Sequence, residues 1–527
     1  MFAVAPTPTQ YTLWPHERRF RETAQDIATA LFDALDEELR PHVQVLGLPI
    51  NPEDGLPLGQ ESGHGLALPL EEFADIVTEG QALAIIKAER HPIPNDADLP
   101  AALARSRHQN RAMRYLVQRV LDQLAEQADY QYVAGWPVQV NGYHIFTILR
   151  LKRKALRQYP ALRPDRYYTD GRPLASSLLM AAMTRFNEEC TKTLSEPIPG
   201  AGFMFRPRDT DELLRAAGRS LLDTPALAVG ADDWSSGQNL GTSTGPGAER
   251  LFYIINTISS LRYEGAEGIG CLLLARRGHP NLEEVFALTC PVDLTDYRAV
   301  RKLLEMTTPD IHLLADAEKV YALGRQIGSY DASREDLFAF HFLTYYTWEL
   351  SHDSKTLMRA RYGLPGLARP RLSLTKFRRE FKRTFTPYTA EQIERIWQVV
   401  LEASRQPKGT LLVFSTEALA EADRLKLQCT LIEPVVLTPT ITQLVTAIDG
   451  AVMLDPQGYC YSIGVILDGK ASGHGNGTRG ARYNSAVRYV DSSPYPSLAV
   501  VVSEDGMVDV LTKSSLEEER LKQAPTV

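Results

Sequence analysis

Apolar residues recur at helical spacing over residues 22–39, at Ile27, Leu31 and Leu35, and the pattern predicts a helix there. Residues 101–128, AALARSRHQNRAMRYLVQRVLDQLAEQA, carry the same periodicity for longer and predict a long amphipathic helix. GYHIFTILRLKRK follows and alternates as a strand does. Residues 230–247, GADDWSSGQNLGTSTGPG, have the composition of a linker and contain no GK[ST], so they are not a phosphate-binding P-loop. Beyond the linker the chain runs twice through a similar series. The first copy is a helix over 248–263, the strand GCLLLA (270–275), a charged stretch, FALTCPVDL, the helix YRAVRKLLEM, and IHLLADAEKVYALG ending at Gly324. The second is the helix EQIERIWQVVLEA, the strand GTLLVF (409–414), a charged stretch, CTLIEPVVL, the helix TITQLVTAI, and AVMLDPQGYCYSIG ending at Gly464.

The two first strands align at an offset of 139, the Pro-Val pairs at 143 and the closing glycines at 140. Any two α/β units with apolar strands resemble each other in periodicity alone. Here order, spacing and the closing Tyr-x-x-Gly (Tyr321/Gly324, Tyr461/Gly464) agree as well, which predicts a degenerate internal repeat. Residues 331–390, which include FHFLTYYTWELSHDSKTLMRARYGLPGLARP, read as a helix, a Pro-rich turn and a basic helix, a connector between the copies. The expected organisation is an α+β region over 1–245, the degenerate α/β repeat over 246–330, a helical connector over 331–390, an α/β domain over 391–515 and a polar tail over 516–527.

Composition narrows the class. At roughly 150 residues per domain, 527 residues allow about three domains, and 44% hydrophobic residues supply their cores. A net charge of -8 and a pI near 5.9 argue against a general polyanion binder. The most basic segment, Arg150, Lys152, Arg153, Lys154 and Arg157, has no aromatic platform or reader motif beside it and reads first as a solvated strand end entering a helix, with a nucleic-acid contact as the weaker alternative. Five scattered cysteines without a CxxC fit reduced thiols and a cytoplasmic chain, with no structural metal. The N-terminal stretch lacks a basic n-region and is broken by prolines, and the longest apolar runs fall far below the roughly 18 residues of a membrane span, so neither a signal peptide nor a membrane is expected.

Candidate chemistry gathers in the second copy. Asp449 lies between a helix and a strand, where a carboxylate can bind a divalent cation or orient a hydroxyl, and Gly450 beside it would let a ligand come close. Gly473-His474-Gly475-Asn476-Gly477-Thr478 offers backbone N–H groups that can curl around phosphate, with Arg479 and Arg482 as planar cationic donors. Ser503 and Glu504 close the apolar strand LAVVV. These features define an anion or nucleotide site, although a glycine-rich turn with two arginines also occurs as a plain surface loop.

The succession DGA, strand with GVIL, GTR with a nearby arginine, and VVVSE resembles the catalytic domain of the diadenylate cyclases, the DisA-type nucleotide-binding domain, over residues 409–511. The resemblance implies a mixed sheet flanked by helices. It also implies two such domains face to face in a homo-oligomer, each holding one ATP, with cyclic di-AMP and pyrophosphate as products. By the same resemblance Asp449 binds Mg²⁺ or Mn²⁺ and helps activate the ribose hydroxyl, with Gly450 and Ala451 beside the sugar. Gly464 and Leu467 border the adenine pocket. Gly477, Thr478 and Arg479 hold phosphates, Arg482 supplies the second arginine, and Ser485, Ser503 and Glu504 complete the nucleotide-binding set. The family's Arg-His-Arg is replaced by Arg479-Gly480-Ala481-Arg482. This leaves two readings, an active cyclase in which Arg482 reaches the phosphates by a changed turn, and a nucleotide-binding sensor without turnover. The first copy has Thr308-Pro309-Asp310-Ile311 where the second has its DGA segment, and no GTR follows, so residues 1–330 are expected to form either a sensor for a small-molecule or protein input or a structural platform.

Overall fold

The computed structural model describes residues 12–51, 53, 56–59, 68–90, 101–126, 128–168, 173–201, 210–230, 248–368, 374–406, 409–469, 480–503 and 508–523. The chain forms two units, residues 1–368 and 369–527. In chain order the first unit contains α1 (Glu17–Leu35), β1 (His42–Pro49), β2 (Leu58–Gly59), α2 (Ile76–Arg90), α3 (Ala101–Glu126), β3 (Tyr130–Ala134), β4 (Val138–Val140), β5 (Tyr143–Lys152), α4 (Arg153–Leu156), α5 (Leu178–Leu194) and α6 (Thr210–Gly230). It continues with α7 (Ala248–Ser260), β6 (Gly270–Leu274), β7 (Leu282–Asp293), α8 (Tyr297–Leu304), β8 (His312–Ala315), β9 (Lys319–Gln326), β10 (Phe338–Thr344), β11 (Thr347–His352), β12 (Lys355–Arg361) and β13 (Leu364–Gly366). The second unit holds α9 (Leu374–Thr384), α10 (Ala390–Ala403), β14 (Thr410–Ser415), α11 (Ala418–Arg424), β15 (Thr430–Val436), α12 (Pro439–Thr446), β16 (Ala451–Leu454), β17 (Tyr459–Val465), α13 (Ala481–Ser492), β18 (Ser497–Val502), β19 (Val508–Thr512) and α14 (Lys513–Gln523).

The N-terminal part of the first unit is an antiparallel sheet, β2-β1-β5-β3 with β4 also on β5. Strand alternation sends Ile145, Leu149 and Leu151 of β5 to the face covered by α1 and α5, and Phe146 and Ile148 to the face covered by α2 and α3. Ile27, Leu31 and Leu35 are buried on α1, which begins five residues before the predicted helix and stops before residue 36. The basic segment differs from its reading: Arg150 is buried, with its guanidinium 4.5 Å from the Tyr130 ring centroid, so the strand end is packed rather than solvated.

The two copies are built on one plan. The first sheet runs β13-β12-β11-β10-β6-β8-β9-β7, and the second β19-β18-β14-β16-β17-β15. Strand for strand, β6, β8, β9, β7, β10 and β11 correspond to β14, β16, β17, β15, β18 and β19. The one parallel pairing falls at the same place in each, β6 with β8 and β14 with β16, among otherwise antiparallel neighbours. Leu272 and Leu274 face α7 as Leu412 and Phe414 face α10, which sets the offset of the first strand at 140 rather than 139. Leu272 pairs with Leu313 and Leu412 with Val452, so three residues earlier Asp310, not Pro309, occupies the place of Asp449.

Three boundaries move. Residues 331–390 are not a helical connector: β10 to β13 form successive hairpins that extend the first sheet, so this copy runs to residue 366 rather than 330. The C-terminal domain begins before residue 391, because α9 buries Phe377, Phe381 and Phe385 in the core with α10, β14, β16 and β18. The expected polar tail is mostly helix α14, which buries Leu516 against the opposite face of the same sheet. What the first copy lacks is equally definite. Residues 275–281 connect β6 to β7 without a helix where the second copy has α11, and 327–337 connect β9 to β10 where the second has α13.

Candidate functional site

In the second unit β14 and β16 begin, and β17 and β18 end, at one end of the sheet. That end therefore gathers Gly464 from β17, Asp449 ahead of β16 and Ser503 after β18, and α13 starts with Arg482 in its first turn. Arg482 Nη2 donates to Asp449 Oδ1 at 3.0 Å. The Asp449 carboxylate is nearly fully exposed and the arginine about one-third exposed, so the pair is open to solvent and weak, worth ~1 kcal/mol or less. Two charges separated by 33 residues in sequence are thus brought together.

Gly450 is in the left-handed region at φ +105°, and a β-carbon there would lie 2.5 Å from the Gly464 carbonyl carbon and 2.8 Å from its Cα. The backbone of β17 therefore fills the space that a side chain at Gly450 would take. The contact closes the sheet end and fixes where Asp449 leaves it. Gly464 is also left-handed, at φ +62°. Ala451 is buried as the first residue of β16, paired with Leu411 and Val465. Leu467 is half-buried against the cluster beneath α11 and α13. Ser485 lies one turn along α13 from Arg482, where its hydroxyl accepts from Arg488 Nη2 at 3.4 Å. Ser503 is half-buried at the strand end. Gly477, Thr478, Arg479, His474 and Glu504 lie outside the described residues.

Sequence reasoning missed a second set of charges beside this site. Arg424, at the end of α11, donates from Nε and Nη2 to the two oxygens of Glu421 at 2.9 and 2.8 Å, and from Nη1 and Nη2 to those of Asp468 at 2.5 and 2.9 Å. Glu421 is buried and also accepts from Tyr489 Oη on α13 at 2.8 Å. Hydrogen bonding to Arg424 lowers the Asp468 carboxyl below its ordinary pKa, and burial beside Glu421 raises the Tyr489 phenol. The spacing of Glu421 and Arg424 on one helix was visible; the partnership with Asp468 and Tyr489 exists only in the fold.

Among the described residues no three His, Cys, Asp or Glu side chains converge as a closed metal cage. One exposed carboxylate at a strand edge suits a hard cation that keeps its waters and is shared with a substrate phosphate, the usual situation of Mg²⁺. Asp449 fits such an ion and would hold it.

The sheet end thus gathers an acidic residue, close glycine backbones and an arginine on the following helix. Comparison with known proteins identifies the type of domain. Residues 398–516 match the DisA bacterial checkpoint controller nucleotide-binding family, DAC. Residues 13–222 match DACNG and residues 249–354 match DACNH, each described as a probable sensor domain. The chain therefore carries a DAC-family nucleotide-binding domain at its C-terminus, preceded by the two sensor-type domains. No curated protein matches it. Eighteen chains of solved structures do, among them a hypothetical membrane spanning protein from Bacillus cereus (20% identical over 26% of this chain and 67% of that one, TM-score 0.22). Another is a double mutant of DacA from Staphylococcus aureus (18% identical over 26% of this chain and 97% of that one, TM-score 0.20). No helix of the described residues is long and apolar enough to cross a membrane.

Proposed function

We propose that the C-terminal domain condenses two ATP molecules into a cyclic dinucleotide, cyclic di-AMP, with release of two pyrophosphates. The observation that carries this reading is the meeting of Asp449 and Arg482 at the sheet end of a domain that matches a nucleotide-binding family. In each half-reaction the ribose 3′-oxygen loses its proton and bonds to the α-phosphorus of the other ATP, while the bond from that phosphorus to the bridging oxygen of pyrophosphate breaks. Little covalent chemistry falls to the protein, so positioning and charge neutralisation dominate. Asp449 stands where the hydroxyl is oriented, Arg482 and Arg479 neutralise phosphate, and Mg²⁺ or Mn²⁺ at Asp449, when bound, supplies further charge compensation. Two nucleotides must face each other, so the active form is a homo-oligomer with apposed cyclase domains. The sensor-type domains receive a small-molecule or protein input and set the output, in a chain read as cytoplasmic.

Arg482 already reaches Asp449 from the first turn of α13, which supports the view that the Arg-Gly-Ala-Arg variant keeps a working second arginine. The missing histidine favours the alternative, a nucleotide-binding sensor without turnover. Incubating the full chain with ATP, GTP or both, in Mg²⁺ and separately in Mn²⁺, and identifying products by mass spectrometry decides between them. A cyclic dinucleotide that disappears in Asp449→Ala is expected. Undiminished product from that variant overturns the assignment, and tight nucleotide binding without product in either metal selects the sensor.

A further inference from the structure

We infer that Arg424 is a positioning residue for the nucleotide site: it locks the exit of β17 and helix α13 to α11, and so holds Arg482 in place. The inference rests on the nucleotide-binding reading above. Two elements meet at its guanidinium, and a third is tied in through Glu421. Residues 466–469, which leave β17 just after Gly464, are held through Asp468, and α11 supplies Glu421. Tyr489 of α13 is bonded to the same buried Glu421 carboxylate. Gly469 completes the contact, since a β-carbon there would lie 2.8 Å from the backbone carbonyl of Arg488. A planar guanidinium bonded to two carboxylates fixes direction as well as distance, which an ammonium cannot do.

The first copy supplies an internal control. It keeps the six strands, their order and the aspartate at position 310, yet it has neither α11 nor α13, and its β9-to-β10 connection is the 11 residues 327–337. There the β6-to-β7 and β9-to-β10 connections are joined differently, by His279 Nε2 against Asp336 Oδ1 at 3.2 Å, with Tyr330 Oη donating to the same oxygen at 3.1 Å. The plan of the sheet is thus shared, while a guanidinium bonded to two carboxylates at these connections is found in the copy that carries Arg482.

The test uses the full chain with Arg424→Met, Arg424→Lys and Asp468→Asn, the last leaving the Arg424–Glu421 pair in place. Because misplacement of a phosphate-binding group by an ångström costs up to about a hundredfold, a rise of about tenfold in ATP KM and Kd is expected for Arg424→Met, smaller for lysine, with thermal stability retained in Asp468→Asn. In an Arg482→Ala background the Arg424→Met effect should vanish, because Arg424 acts through that arginine. Amide exchange of residues 480–486 in the ligand-free chain should quicken in Asp468→Asn, while exchange of residues 410–415 stays unchanged. ATP parameters within twofold of wild type in Arg424→Met, full additivity with Arg482→Ala, or unchanged exchange at 480–486 would overturn the inference. Failure of the wild-type chain to bind ATP would instead strike the nucleotide reading, and the exchange measurement still decides the clamp.

Discussion

At the scale of single residues, the two glycines of the site make different demands. At Gly450 a side chain meets the Gly464 backbone at 2.5 to 2.9 Å in a left-handed conformation, so both sterics and torsion oppose it. At Gly464 the nearest atom to a β-carbon is the Asp449 carbonyl oxygen at 3.5 Å, ordinary contact, so only the left-handed torsion costs. Gly464→Ala should cost about 1–2 kcal/mol. Gly450→Ala should exceed that, since backbone cannot yield as a flexible side chain can, and should open the β16–β17 ladder. Hydrogen exchange over residues 451–465 in the two variants measures the difference, and equal protection would refute the backbone-contact account. Asp449 was legible because an aspartate followed by glycine at a helix-to-strand junction is a local pattern. The Gly450–Gly464 contact and the Arg424 clamp were not, because each depends on which strands and helices become neighbours.

Among elements, the β1–β5 ladder offers a pH prediction. His42 opens β1 opposite Arg150. Burial first, and then the positive charges of Arg150 and Arg21, lower its pKa from the ordinary 6.5 to about 4. The folded state thus prefers the neutral ring, and below 6.5 the unfolded chain takes up more protons, so stability falls as pH drops from 6.5 toward 4. His42→Gln should flatten that part of the stability profile of the full chain in chemical denaturation, and a profile unchanged by the substitution would show that other groups set it. Element order in the repeat was readable because strands, Pro-Val pairs and closing glycines kept their spacing. The hairpins β10 to β13 were harder to read: the β10–β11 turn and the start of the β12–β13 turn put Tyr346 and Tyr362 at positive φ, and only Asp353-Ser354 and Gly363 are conventional turn residues there. Aromatic and charged residues around such turns resemble a helical pattern until pairing is known.

For the molecule as a whole, the position of α9 decides what a working C-terminal fragment must contain. Phe377 and Phe381 are fully buried and Phe385 nearly so, stacked among Trp397, Tyr388 and Phe414. Glu380 on the same helix is buried and accepts from Thr512 Oγ1 of β19 at 3.2 Å, and Arg383 pairs with Glu518 of α14 at 2.5 Å. Removing a buried phenylalanine side chain costs about 3–5 kcal/mol, and a domain's whole stability is about 5–15 kcal/mol, so losing all three together with the Glu380 link leaves too little. A fragment of residues 369–527 should therefore show a cooperative thermal transition and near-ultraviolet dichroism from its packed aromatics, whereas residues 389–527 should show neither. If the shorter fragment folded equally well, α9 would belong to the connection between units and not to the nucleotide-binding domain. If the proposed cyclase activity holds, the rate of cyclic dinucleotide formation by the longer fragment relative to the full chain tests the proposed regulation: a rise on truncation means inhibition by residues 1–368, a fall means that they help to assemble the active form, and an equal rate removes the regulatory part of the proposal.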